Sequence, residues 1–269
     1  MRGSAVAKPP MPKPPLIDRL FMRFSRNRTI DGLWVGTSES KPHPALHRVL
    51  EALALIKWHN ALHYSRVISR LDRVWVHLIP SAQAHYDQPL NACVLDERYV
   101  LDETMTTARI ASTIVHEATH ARLEGRGILY HEKDRYRIEA VCLRRELNFL
   151  AALPDAEPLR EQVARSIEWC ASDREYLSDS RFEQREEQGQ IETMRHLNVP
   201  NWLIRFALWV VRKRRSRRSA AGHGNDPEPA AMASRGGDLL IVDGKIVGAI
   251  GVSGSQDNVI SLAGQTGLK

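Results

Sequence analysis

Residues 116–120 read His-Glu-Ala-Thr-His inside a segment whose apolar residues Ile110, Ile114 and Ala118 recur every four positions. That spacing predicts a helix, on which residues four apart lie one above the other on the same face. His116 and His120 are therefore placed to hold one metal ion through two imidazoles, and zinc suits such a pair. Glu117 is rotated off the ligand pair but stays beside it. There a carboxylate can take a proton from a water whose pKa the ion has lowered to about 7. Thr104, Thr106 and Thr107 are available as N-caps, and Gly125 and Gly127 close the far end.

A catalytic zinc site needs a third protein ligand and keeps its fourth position for water. A third histidine six residues after the motif, with glycine three after it, is excluded by Leu123 and Arg126. Glu139 is the leading candidate. It stands on a second expected helix, over about 131–152 and stopped by Pro154, where Ile138, Val141 and Cys142 supply a side to bury against the first helix. A turn back through Gly125 and Gly127 brings it to the metal, with Asp134 and His131 as substitutes. Tyr130, His131 and Tyr136 are candidates to stabilise an oxyanion in a hydrolytic transition state.

With His116, Glu117, His120 and Glu139, the last in an Ile-Glu-Ala-Val setting, the stretch over roughly 73–152 resembles the gluzincin metallopeptidases. The resemblance implies a zincin-like fold, a Zn2+ cofactor and a peptide or protein substrate. It also implies that the strand ending near Leu101 is the edge strand that takes an extended peptide by backbone hydrogen bonds. Some members of that family carry an aspartate four residues after the ligand glutamate to orient a histidine; here that position is Leu143, so the outer partner of the site is unassigned. The Gly-x-Met-Glu-Asn strand motif of the aminopeptidase branch is absent from residues 85–105.

The rest of the chain agrees with an α+β domain over 29–196, mostly helical, with a small sheet before the zinc helix. Pro44 to Leu71 reads as one long amphipathic helix through Leu46, Val49, Leu50, Leu53 and Ile56. Arg73 to Ile79 and Cys93 to Leu101 read as strands. A third helix follows Pro158, with Leu159, Val163, Ile167 and Cys170 on one face, and a glutamate-rich stretch runs from 181 to 192. Residues 1–28 form a basic arm made extended by Pro9, Pro10, Pro12, Pro14 and Pro15. Within it, Leu16 to Phe24 is a short basic amphipathic stretch that docks on the core.

At 269 residues, with 43% hydrophobic and 26% charged, the chain has the composition of a folded globular protein. Three scattered cysteines, Cys93, Cys142 and Cys170, do not make a disulfide framework, and with no apolar run of spanning length the chain reads as cytoplasmic. The net charge of +6 sits at the ends: residues 29–211, with 22 basic and 26 acidic groups, carry −4. A nearly balanced body argues against a specific nucleic-acid partner. The segment 197–218 carries Trp202, Leu203, Phe206, Trp209 and Val210 at helical spacing, then six basic residues among Arg212 to Arg218. It suits the interface of an anionic membrane, which would make the protein peripheral to the inner face.

After a linker over 219–236, Leu239 to Val242 and Lys245 to Val252 flank Asp243-Gly244, a dipeptide suited to a tight hairpin turn. Residues 237–269, with Gly244, Gly248, Gly251 and Gly254 set among aliphatic residues, resemble the C-terminal hairpin of the GlcG-like heme-binding family. The resemblance covers only the end of that family's domain, and heme binding is not implied by the fragment.

Overall fold

The computed structural model describes Met22 and residues 25–37, 43–80, 82–221, 235–242 and 245–252. The fold is mixed α+β, mostly helical with a small five-stranded sheet. The basic arm before residue 22, Leu16 to Phe24 apart from Met22, most of the linker and the Asp243-Gly244 turn lie outside the described residues.

Strands β1 (Asn27–Ile30) and β2 (Leu33–Thr37) form an antiparallel hairpin across Asp31 and Gly32, both at positive φ (48° and 87°). Helices α1 (Pro44–His59) and α2 (Ala61–Arg70) then cross over to β3 (Arg73–His77), which pairs parallel to β2. β4 (Ala84–Asp87) and β5 (Ala92–Asp96) complete the sheet in the order β1-β2-β3-β5-β4. β5 is parallel to β3, and β4 is antiparallel at the edge. The helices that follow are α3 (Glu97–Leu101), α4 (Thr107–Glu124), α5 (Arg135–Leu150), α6 (Glu157–Ser172), α7 (Asp179–His196) and α8 (Asn201–Ala221).

Three expectations are corrected. The long first helix is two helices, because Asn60 leaves helical geometry (φ −150°, ψ 85°) and its side chain caps α2 by accepting from the His63 amide at 3.1 Å. The segment from Cys93 to Leu101 is half strand and half helix: the Asp96 carboxylate accepts from the amides of Arg98 (2.7 Å) and Tyr99 (3.4 Å) and starts α3. β5 is therefore an interior strand, and the sheet edge is β4, whose four residues lie in a stretch that shows no strand periodicity. The β1–β2 hairpin, marked by its own Asp-Gly pair, and helix α7, in the glutamate-rich stretch, were not anticipated either.

One face of the sheet packs Val35, Val74, Val76, Cys93 and Leu95 against Val49, Leu53 and Ile56 of α1 and Ile110 and Ile114 of α4, all buried. This places α4 on the sheet. Its entry is tied down by Arg48 of α1, which donates to the carbonyls of Val100 (2.5 Å), Asp102 (2.7 Å) and Met105. Thr106 then caps α4 through the Arg109 amide at 3.2 Å. β6 (Arg235–Val242) and β7 (Lys245–Val252) form a two-stranded antiparallel sheet with Val242 opposite Lys245, the register expected for a two-residue turn.

Asp96 is 2% exposed, and besides its caps it accepts from the Ile79 amide at 3.2 Å and pairs with Arg98 at 2.7 Å. Removing it strands three amide donors and a guanidinium, so Asp96→Ala is expected to lower stability by about 2–3 kcal/mol in urea unfolding. A loss under about 0.5 kcal/mol would show that the junction does not depend on this carboxylate.

Candidate metal centre

The motif histidines lie on the side of α4 that faces α5, and both are buried, His116 at 1% and His120 at 6% exposure. Their Nε2 atoms are 3.2 Å apart. From α5, Glu139 brings Oε2 to 3.3 Å from His116 Nε2 and Oε1 to 3.6 Å from His120 Nε2. Ligands at about 2.0–2.1 Å in a tetrahedral shell are about 3.3–3.4 Å from one another, and these separations fit that spacing. The turn after Gly125, with Gly127 at φ 80°, reverses the chain and carries Glu139 back to the histidines.

Cys142, one turn beyond Glu139 and fully buried, completes a second grouping: its Sγ and the nitrogens of His116 and His120 all lie within 4.8 Å of one another. The buried cluster of His116, His120 and Cys142 can thus hold a metal in its own right. No such grouping includes Asp134 or His131 among the described residues.

Behind the histidines lies a charged layer that the motif does not announce. Glu146, fully buried two turns after Glu139, sets Oε2 3.3 Å from His116 Nδ1. Its other oxygen accepts from Ser112 Oγ at 2.9 Å and faces Arg109 at 3.9 Å. Burial pushes the Glu146 carboxyl upward, but the His116 contact, the Arg109 charge and the Ser112 hydroxyl outweigh it and hold it below the usual carboxylate value. Glu146 thus partners the His116 ring from seven residues after Glu139, where the position four residues after it holds Leu143. The signal in the sequence was a second glutamate at i+7, on the same helical face as Glu139 and Cys142.

Glu117 is also buried, at 1% exposure. Glu139 and Glu146 are buried at the site together with the guanidiniums of Arg109, 3.9 Å from Glu146, and Arg135, over the Tyr130 ring. Burial pushes His120 down to about 4, with the Glu139 charge opposing and His116 reinforcing, so its ring is neutral at pH 7. Buried imidazoles beside buried carboxylates suit a divalent cation, which would otherwise be a costly charge to bury.

Of the three oxyanion candidates only Tyr130 is brought to the site. Its hydroxyl donates to Glu139 Oε1, its ring meets that of His120 edge-on at 5.5 Å, and Arg135 lies over its other side at 5.4 Å. His131 is exposed at the start of a one-turn 3-10 helix (Glu132–Asp134). Tyr136 is covered by Arg174, 4.3 Å from its ring, and neither it nor His131 contacts the ligand residues. Both follow Tyr130 too closely to share its direction: the chain enters α5 between them, and the helical turn points them elsewhere. β4 runs beside α4, so the free edge of the sheet borders the site.

Compared with known protein-family models, with curated proteins and with solved structures, the chain matches none.

His77 and His85 join His120 in being pushed down to about 4, each chiefly by burial; the Asp96 charge opposes at His77, and His77 reinforces at His85. Unfolded, all three protonate near 6.5, so their contribution is complete above that pH and is lost as pH falls towards 4. Metal-free protein is expected to lose on the order of 1 kcal/mol per histidine between about pH 7 and pH 5 in urea titrations. A flat profile would mean that these rings are not held neutral.

Proposed function

We propose that this protein is a zinc-dependent hydrolase with a zincin-like domain, a metallopeptidase whose metal is held by His116, His120 and Glu139. The observation that carries the reading is the three-ligand spacing of 3.2–3.6 Å among side chains that are all buried. Zinc held there supplies Lewis acidity that makes water nucleophilic at neutral pH and polarises a carbonyl. Glu117, next to His116 on α4, is the general base and proton carrier. Glu146 fixes the ring of His116, and Tyr130 fixes the carboxylate of Glu139 while its hydroxyl remains beside the reacting centre. β4 stands at an edge of the sheet, where an extended peptide could add as a further strand, which favours a peptide bond as the substrate.

Purified protein is expected to contain about one zinc per chain by elemental mass spectrometry. Glu139→Ala should lose most of it, and Glu146→Gln or Tyr130→Phe should weaken affinity by about 10–100-fold. Glu117→Gln should keep zinc and folding but abolish cleavage of a peptide library. Retained cleavage would remove Glu117 from its role. Cys142 distinguishes the competing class, a non-catalytic zinc protein in which a thiolate closes the fourth position. Cobalt-substituted protein is expected to lack a thiolate-to-metal charge-transfer band; a band abolished by Cys142→Ser would establish a closed structural site.

A membrane-surface role is a second proposal, favoured by α8. Its Ile204 and Ala207 are buried, at 4% and 3%, while Trp202, Phe206 and Trp209 are 69%, 55% and 54% exposed along the other side. No described helix is long and apolar enough to cross a membrane. An exposed aromatic stripe leading into the basic run 212–218 suits an anionic interface. Trp202→Ala/Trp209→Ala protein is expected to lose co-sedimentation with phosphatidylserine vesicles; undiminished binding would rule the stripe out.

A further inference from the structure

The flank of α4 turned away from α5's ligand face carries a second concentration of charge, of the opposite sign. Arg66 and Arg70 of α2, Arg122 of α4, Arg126 just beyond it and Arg145 of α5 come together from three helices and one turn. Arg66, Arg122 and Arg145 line a shallow depression together with His63, Thr119 and the apolar Val67, Val115 and Ala118. Among the described residues no carboxylate forms an ion pair with any of the five. This happens in a body, residues 29–211, whose net charge is −4, so acidic partners are plentiful in the chain and are placed elsewhere.

We propose that this depression is an oxyanion site that binds a small polyphosphate or a multiply phosphorylated metabolite. The arginines oppose one another: the guanidiniums of Arg66 and Arg122 are disfavoured first by burial and then by their arginine neighbours. Like charges gathered by tertiary structure repel one another, and an anion among them reverses the sign of that energy. All five cations are arginines, whose planar fork binds two oxygens at once. A carboxylate offers two oxygens and is satisfied by one such fork, whereas a phosphate group offers three terminal acceptors and a higher charge, enough for several. The enclosed space is only about 10 Å³, that of a single water-sized group, so one terminal oxyanion group could enter it while the three arginines, standing on different helices, surround the rest of the ligand at the mouth. A compact, highly charged group fits such a site better than an extended chain.

Sodium tripolyphosphate is the probe, titrated into full-length protein by calorimetry at constant ionic strength. Saturable binding at about one per chain is expected, weakened at least ten-fold in Arg66→Gln and in Arg145→Gln. Because these substitutions relieve repulsion, neither should lower the melting temperature without the probe, which separates loss of a site from loss of the fold. Their zinc content should equal that of the unsubstituted protein, so the result is independent of the metal centre. The basic run 212–218 is the competing source of affinity, and its replacement by glutamine should leave the saturable site in place. Binding that survives both arginine substitutions and disappears with that run would overturn the proposal. So would binding of a short single-stranded oligonucleotide that is tighter than tripolyphosphate and equally sensitive to Arg66 and Arg145, since the ligand would then be a nucleic-acid backbone.

Discussion

The contact between His116 and Glu146 couples the two helices on which the candidate centre depends. Together with the Ser112 and Arg109 contacts of Glu146, it joins α4, packed on the sheet, to α5, whose apolar contacts are made through Ile138, Cys142 and Leu143. Apolar packing tolerates small slides and rotations; a buried carboxylate facing an imidazole, a serine and an arginine does not, because a displaced partner leaves a charge unsatisfied. With Glu146 fixed, Glu139 is fixed two turns earlier on the same face, and its oxygens arrive within 3.3 and 3.6 Å of the histidine nitrogens. The register of one helix pair thus sets the geometry of the whole site.

That arrangement is expensive for an apoprotein. Buried carboxylates and imidazoles are costly to desolvate, and only the contacts they make with one another and with Arg109 and Ser112 offset that cost. The cost is rational if a divalent ion shares the pocket, since metal binding then contributes to folding and the ligand layer orders around it. The same economy of charge explains the contrast across α4. Anionic groups are gathered on one flank and arginines on another, and the helix between them carries only small or apolar residues, Val115 and Ala118, at the boundary.

Much of the candidate site was legible because its logic is local. Two histidines four apart, a glutamate between them and a spaced glutamate on the next helix obey helical periodicity, and the structure brings His116, His120 and Glu139 together. Tyr130 was legible as a nearby polar aromatic, though its bond to Glu139 was not. His131 and Tyr136 misled because sequence proximity says little about direction where a chain turns from a 3-10 helix into α5. Glu146 was passed over because it reads as one more charged residue in Arg-Arg-Glu; only burial distinguishes it from a solvated one.

The sequence by itself determined the helical face of the motif, the strand at Arg73, the hairpin pairing at the C-terminal end and the α+β class, since each follows from short-range periodicity or turn chemistry. Tertiary structure decided which strand is the sheet edge, where Asn60 and Asp96 interrupt regular elements, which tyrosine reaches the centre, and how arginines from three helices meet on one surface. Strand order and the meeting of distant charges are set by packing between segments far apart in the chain, and no local pattern of residues encodes them.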